Sequence, residues 1–272
     1  MFWIYDMSSL LLALLIVAVA VFLAVAGLLV ARRFVVRPLG FSRETNDTVN
    51  TFSFGITALY SVTVGLIAVA SWQNYSSVAV LVSKEASTVG VLYRDVAGYP
   101  EPLRTELRRT LREYTTVLVE QVWPAQQEGR LLDAPTATLT TLHTQLLSYE
   151  PPSSGATIMH TRTMQKFDDL VDLRRQRVDR VGAGLPDVLW VVVGIGAFVT
   201  VAVRWFLWVD VLRVHILLLS LLTTFVALLI FLIAALDRPF RGRTSVPADA
   251  YRLIIERVMN PLDAAGRGAP ES

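Results

Sequence analysis

Residues 10–31 read LLLALLIVAVAVFLAVAGLLVA, and residues 52–71 read FSFGITALYSVTVGLIAVAS. Two further apolar runs follow a long polar stretch. Residues 188–208 read VLWVVVGIGAFVTVAVRWFLW, and residues 214–236 read VHILLLSLLTTFVALLIFLIAAL. A helix needs roughly 20 apolar residues to cross a bilayer. Each run reaches that length, so the four predict four membrane spans in two pairs. The polar stretch Trp72–Asp187 lies between the pairs and is long enough for a domain of its own. The expected class is therefore all-α: a polytopic membrane protein with four transmembrane helices and a helical-bundle extramembrane domain inserted between spans two and three. The expected boundaries are 1–71, 72–187, 188–236 and 237–272.

Composition agrees. The chain has 272 residues, 53% of them hydrophobic, against about 45–50% in soluble domains. It has no Cys, which excludes disulfides, thiolate catalysis and Cys-based metal sites. The formal net charge of +2 implies no strong field, and arginines beside apolar runs fix membrane orientation. Nucleic acid is not an expected partner; the lipid bilayer is. Ala24-Val25-Ala26 imitates a signal-peptide cleavage site. However, residues 1–6 carry no Lys or Arg, and the apolar run continues past the motif to Arg32-Arg33, so a retained span is expected.

The polar stretch keeps a helical period. Val78, Val82, Glu85, Val89 and Leu92 share a face, so span two is expected to run on as one helix to about Ala97. Asn50 and Thr51 are its candidate caps. Leu103, Leu107, Leu111, Tyr114, Leu118 and Val122 stripe a second helix, expected to stop at Pro124. Asp133 caps a third, with Leu139, Leu142 and Leu146. A fourth spans about Ala156–Val181, with Met164, Phe167, Val171, Val178 and Val181 on one side. It is expected to feed toward span three through Gly182–Pro186. Beyond Leu236 come a basic segment and, after Pro261, a tail expected to be disordered.

Catalytic signatures are missing. There is no G-x-x-x-x-G-K-[ST], H-E-x-x-H or G-x-S-x-G, and His143, His160 and His215 fall in different segments. Solvated faces are expected for the first two, and a polar end-cap on span four for the third. No enzyme, cofactor or metal site is expected. No Asp or Glu lies within the four runs, which weighs against proton- or Na⁺-coupled transport but not against an anion pathway.

Span two stands apart. Ser53, Thr57, Tyr60, Ser61, Val64 and Ala68 follow helical steps along one side, with Ser71 continuing the line. A hydroxyl line can face a water-filled path, which makes these six the pore-lining candidates. It can equally bond to backbone or to a neighbouring helix. Gly55, Val62 and Gly65 fall on another side, where small residues allow close helix packing. Arg204 is the one charge within the runs, near the end of span three beside Trp205 and Trp208. It is either a snorkelling interface residue or an anion-attracting one.

These residues resemble a family. Asn46–Trp72 with Gly55, Tyr60 and Gly65 is similar to the bacterial bestrophin-like domain family of membrane proteins, as are Tyr75, Glu85-Ala86 and Leu92-Tyr93-Arg94. So are Val122-Trp123-Pro124, Arg174-Arg175-x-Arg177, Leu185-Pro186-x-Val188-Leu189-Trp190 and Leu236-Asp237-Arg238-Pro239-Phe240 with Gly242. The resemblance covers about Glu44 to Val258. It implies a layout like that of bestrophins, which are pentameric anion channels with the second span lining the pore. A homo-oligomer passing a small anion such as chloride is what it implies here. Two features depart from the pattern. Bestrophins narrow their pore with bulky apolar residues at i, i+4 and i+8, and span two has no aromatic triplet of that kind. No acidic cluster for Ca²⁺ follows the last span.

Localisation follows as a bacterial inner membrane, multi-pass. Counting Lys and Arg near span ends, the larger number falls on the side of the helical domain and both termini, which are expected in the cytoplasm. Arg32-Arg33, directly after span one, argues the other way. The functional expectation is an oligomeric anion channel. The alternative is a non-conducting scaffold or sensor whose helical domain binds a partner, with the hydroxyl stripe packed against span three or four.

Overall fold

The computed structural model describes residues 9–242 and 244–267, and among these every regular element is helical. α1 is Ser9–Ala31, extended by a π-turn at Arg32–Val36. α2 is Asn46–Asp95, one unbroken helix of 50 residues. α3, Leu103–Val117, passes through a π-turn at Leu118–Val122 into the short α4, Trp123–Gln127. α5 is Ala134–Leu147, α6 Ser154–Val181, α7 Asp187–Ala202 and α8 Leu212–Asp237. α9, Asp249–Ile254, leads through a π-turn at Ile255–Met259 into α10, Asn260–Arg267.

The chain forms two units. The first comprises residues 1–74 and 184–238; the second comprises 75–183 and 239–272. α2 contributes its first part to one and its last part to the other.

The first unit holds the membrane helices. Four helices are long and apolar enough to cross a bilayer, within Leu10–Val36, Arg43–Gly98, Asp187–Phe206 and Leu212–Asp237. α1 packs along α8, and both touch α7. One core joins Tyr60, Val64 and Ile67 of α2 to Val193 of α7 and Val226 and Ile233 of α8. Another joins Ala24 and Leu28 to Val201 and Leu219. Two glycines permit the closest approaches. A Cβ on Gly27 would stand 2.2 Å from the Trp205 ring, and one on Gly196 would stand 2.5 Å from the Tyr60 ring. Much of the remaining surface is apolar: Leu10 is 77% exposed, Phe22 71% and Leu59 74%. Water would penalise such a surface at about 25 cal/mol per Å²; lipid would not.

Helix α2 starts earlier than its sequence caps suggested. Ser42 and Thr45 hydrogen-bond each other's ends: the Ser42 N–H donates to Thr45 Oγ1 at 3.0 Å, and that hydroxyl donates to the Ser42 carbonyl at 2.7 Å. Asn46 then brackets Trp208, donating to its carbonyl and accepting its N–H, both at 2.8 Å. Asn50 and Thr51 are thereby inside the helix.

The second unit has a dense core of its own. Val82, Val89 and Leu92 of α2, Leu107, Leu111 and Tyr114 of α3, and Leu142 and Leu146 of α5 are all buried. Phe167 and Leu170 of α6 join them; Val171, expected on that face, is 37% exposed. Pro124 does not stop the helix. It falls at the start of α4, directly after a π-turn, where a missing backbone N–H is tolerated. Residues 262–267, expected to be disordered, belong to α10. Tyr251 and Met259 are fully buried, and Arg112 donates to Asn260 Oδ1 at 3.0 Å and to Asp263 Oδ2 at 2.6 Å. Residues 268–272 of that expected tail lie outside the described residues. Between α6 and α7, residues 182–186 are not helical.

Candidate functional site: the α2 face beside Arg204

The hydroxyl stripe of α2 divides. Ser53 (0% exposed), Tyr60 (8%) and Val64 (1%) are buried within the protomer. The Tyr60 hydroxyl donates to the Val193 carbonyl of α7 at 3.3 Å. All three expected pore-lining side chains are therefore enclosed within this chain. The glycine at position 196 explains the burial, because it opens the pocket that the Tyr60 ring fills. Ala68 is half-buried against the same core.

Thr57 and Ser61 remain open. With Asn50, Phe54 and Ala58 they line a recess of about 470 Å³ that Arg204 also borders. Arg204 sits in a 3-10 turn, Val203–Phe206, that continues α7. Its Nη2 donates to Thr57 Oγ1 at 3.1 Å, and its Nε is buried without a partner among the described residues. The guanidinium is thus held against α2. His215 supports that turn from α8: its Nε2 lies 3.1 Å from the Arg204 carbonyl, which agrees with an end-cap role. At the same end of the unit, Arg32 donates to the Val209 carbonyl at 3.2 Å and lies over the Trp208 ring at 5.5 Å. Arg43 pairs with Asp210.

Three further apolar residues of α2 in this unit are exposed. Val62 is 64% exposed, Leu66 68% and Val69 54%. A Cβ on Gly55 or Gly65 would meet open space, so these glycines serve no helix contact inside one chain. Buried hydroxyls elsewhere in this unit, Ser53, Thr200 and Thr223, have no partner among the described residues.

Residues outside the predicted set also matter. Asp237 at the end of α8 accepts the Leu185 N–H at 2.5 Å, and Gly184 lies against its carboxylate. In the second unit Glu85 is fully buried and binds Arg177, Nε to Oε2 at 2.7 Å. Tyr114 donates to its other oxygen at 3.0 Å. Arg177 also lies over the Trp123 ring at 5.4 Å. Burial acts to lower the Arg177 pKa, but Glu85, Tyr251 and Tyr114 together more than reverse this and hold the guanidinium charged. Burial pushes the Tyr114 and Tyr251 phenols well up, and the charge of Glu85 adds to it. The signal in the sequence was Glu85 itself: an acid within an apolar stripe needs a buried partner. His160, expected on a solvated face, is half-buried, its Nδ1 2.7 Å from the Tyr99 hydroxyl. His143 is exposed and stacks on Phe167, ring centroids 5.1 Å apart. Among the described residues no group of His, Asp and Glu is arranged to hold a metal ion.

The comparisons with known proteins agree with this architecture. A bacterial bestrophin homologue from Klebsiella pneumoniae superposes with a TM-score of 0.69 at 15% identity, covering 93% of this chain and 98% of that one. A single-residue variant of a bacterial bestrophin homologue from Klebsiella pneumoniae gives 0.72 at 14% identity, covering 96% and 99%. A structure described only as a membrane protein gives 0.68 at 16% identity, covering 92% and 98%. At such identities the likeness shows the fold alone. No curated protein matches the chain. The family model of the bestrophin-like domain matches residues 13–251, most of the sequence. The four spanning helices, the helical second unit and that match together place the chain in the bestrophin-like domain family of membrane proteins.

Proposed function

We propose that this chain is one subunit of an oligomeric anion channel, with the outward face of α2 along the path. The observation that carries this reading is the Arg204 recess. A guanidinium whose buried Nε has no partner among the described residues stands beside Thr57 and Ser61 on an open face of α2. A fixed cation and hydroxyl donors can replace part of the hydration shell of an anion. Within this reading Thr57 and Ser61 keep their pore role, and Arg204 attracts the anion. Val62, Leu66 and Val69, turned away from the protomer core, supply an apolar constriction in place of an aromatic one. Chloride is the expected anion. A pentamer follows from the family resemblance, and a bacterial inner membrane with cytoplasmic termini from the distribution of Lys and Arg.

A second reading has a specific observation in its favour. Ser53, Tyr60 and Val64 pack inside the protomer, as a non-conducting scaffold or sensor would have them. Purified protein in liposomes separates the two. A channel passes chloride, and Ser61→Leu and Arg204→Gln each reduce the flux while the oligomer survives. Absence of flux from a protein that is monomeric by mass measurement would sink the channel reading.

A further inference from the structure

The second unit contains a small polar recess that none of the preceding chemistry uses. It measures about 110 Å³ and lies among α4, α5, α6 and the segment leading into α5. Three of its lining residues carry buried polar atoms with no partner among the described residues: Arg177 Nη1, Arg174 Nε and Gln126 Oε1. The Arg177 side chain is 1% exposed, and Gln126 is 2% exposed. Each guanidinium is already anchored by its other nitrogens. Arg177 Nε is held by Glu85, and Arg174 Nη2 donates to Thr136 Oγ1 at 2.6 Å and to Asp133 Oδ1 at 3.3 Å. Their orientations are therefore fixed, and a free N–H from each is left over. Leaving buried donors unsatisfied costs their full desolvation, and a well-packed unit does so where something else supplies the acceptor.

The charge balance points the same way. Glu85 neutralises Arg177 deep in the core. Asp133, the partner of Arg174, is 87% exposed, so water screens most of its field. The recess keeps a positive surplus that one negative charge would complete. Its other walls are the screened Asp133 and the apolar Val122, Leu131, Leu132, Pro135 and Val178, and the apolar ones suit a ligand with a carbon skeleton better than a bare halide. Two donors match the two oxygens of a carboxylate, and the lone acceptor, Gln126 Oε1, matches a hydroxyl. The volume corresponds to about four waters at roughly 30 Å³ each, which excludes nucleotides and sugars.

We propose that this recess binds a small 2-hydroxy carboxylate of two or three carbons, with the carboxylate on Arg174 and Arg177 and the hydroxyl on Gln126. The site is independent of whether the chain conducts ions. Equilibrium dialysis of radiolabelled glycolate against the full-length protein in detergent tests it. Saturable binding of one glycolate per chain is expected, with a dissociation constant on the order of 1 mM. Acetate and chloride should compete at least about tenfold more weakly. Arg177 is unsuitable for substitution because its loss strands Glu85. Arg174→Gln and Val178→Phe, the second of which fills the recess, should each weaken binding by about tenfold or more with unchanged elution in size exclusion. Gln126→Leu should erase the preference for glycolate over acetate. No saturable binding up to about 100 mM would overturn the assignment. So would chloride competing as well as glycolate, or wild-type affinity in a folded Arg174→Gln protein.

Discussion

The two units bury different kinds of polar group. In the second, Glu85 sits at 0% exposure with Arg177 and Tyr114 on its two oxygens, inside a core drawn from α2, α3, α5, α6 and the C-terminal helices. In the first, Ser53, Thr200 and Thr223 are buried hydroxyls without partners among the described residues, and large apolar side chains cover the outside. One unit is organised for water, with its apolar groups and its ion pair inside. The other is organised for lipid, with large apolar side chains on its outside. α2 takes part in both, and the same helix therefore obeys two sets of packing rules along its length.

The sharpest break of this comparison is Glu85→Ala. Removing one member of a buried pair leaves an uncompensated charge, so the second unit should lose about 3–5 kcal/mol. The double variant Glu85→Met with Arg177→Met should recover most of it, as read by thermal unfolding. Next comes Leu111→Ala, at 0% exposure, expected to cost about 2–5 kcal/mol. Leu14→Ala in α1, where Leu14 is 65% exposed, should stay within about 0.5 kcal/mol. Equal costs at the two sites would erase the contrast between the units.

Alkaline pH sharpens it further. Tyr114 and Tyr251 have folded-state pKa values raised above the ordinary 10.0. The unfolded phenols release their protons first, so this stability is complete below about pH 10 and is lost as pH rises toward the folded-state values. The limiting slope is about 1.4 kcal/mol per pH unit per tyrosine. Hydrogen exchange should show α3 and α6 loosening first, and Tyr114→Phe should flatten the slope. The smallest effect is Tyr60→Phe, which removes one hydrogen bond to the Val193 carbonyl at 3.3 Å and should cost about 0.5–1.5 kcal/mol.

Much of this architecture was legible in the chain. Four runs of bilayer length, the stripe from Leu107 to Val122 and the leucines of α5 each predict the face that the structure buries. What failed depended on partners distant in sequence. The hydroxyl stripe of α2 is periodic, but periodicity cannot say which neighbour meets it. Gly196, more than 130 residues from Tyr60, decides that the ring turns inward. The helix over residues 262–267 was missed because Gly and Ala there suggest a tail, whereas the preceding Tyr251 and Met259 anchor the segment to the core. Pro124 misled because a π-turn absorbs its missing N–H. Arg204 was legible as unusual, but its bond to Thr57 was not.

The chain lacks cysteine, so single cysteines can report directly which face of α2 meets water. In reconstituted protein, Val62→Cys and Leu66→Cys should react with a charged, membrane-impermeant thiol reagent and lose chloride flux on reaction. Ser53→Cys and Val64→Cys should stay unreactive. Labelling at positions 53 and 64 with protection at 62 and 66 would contradict the placement of the path along the outward face of α2.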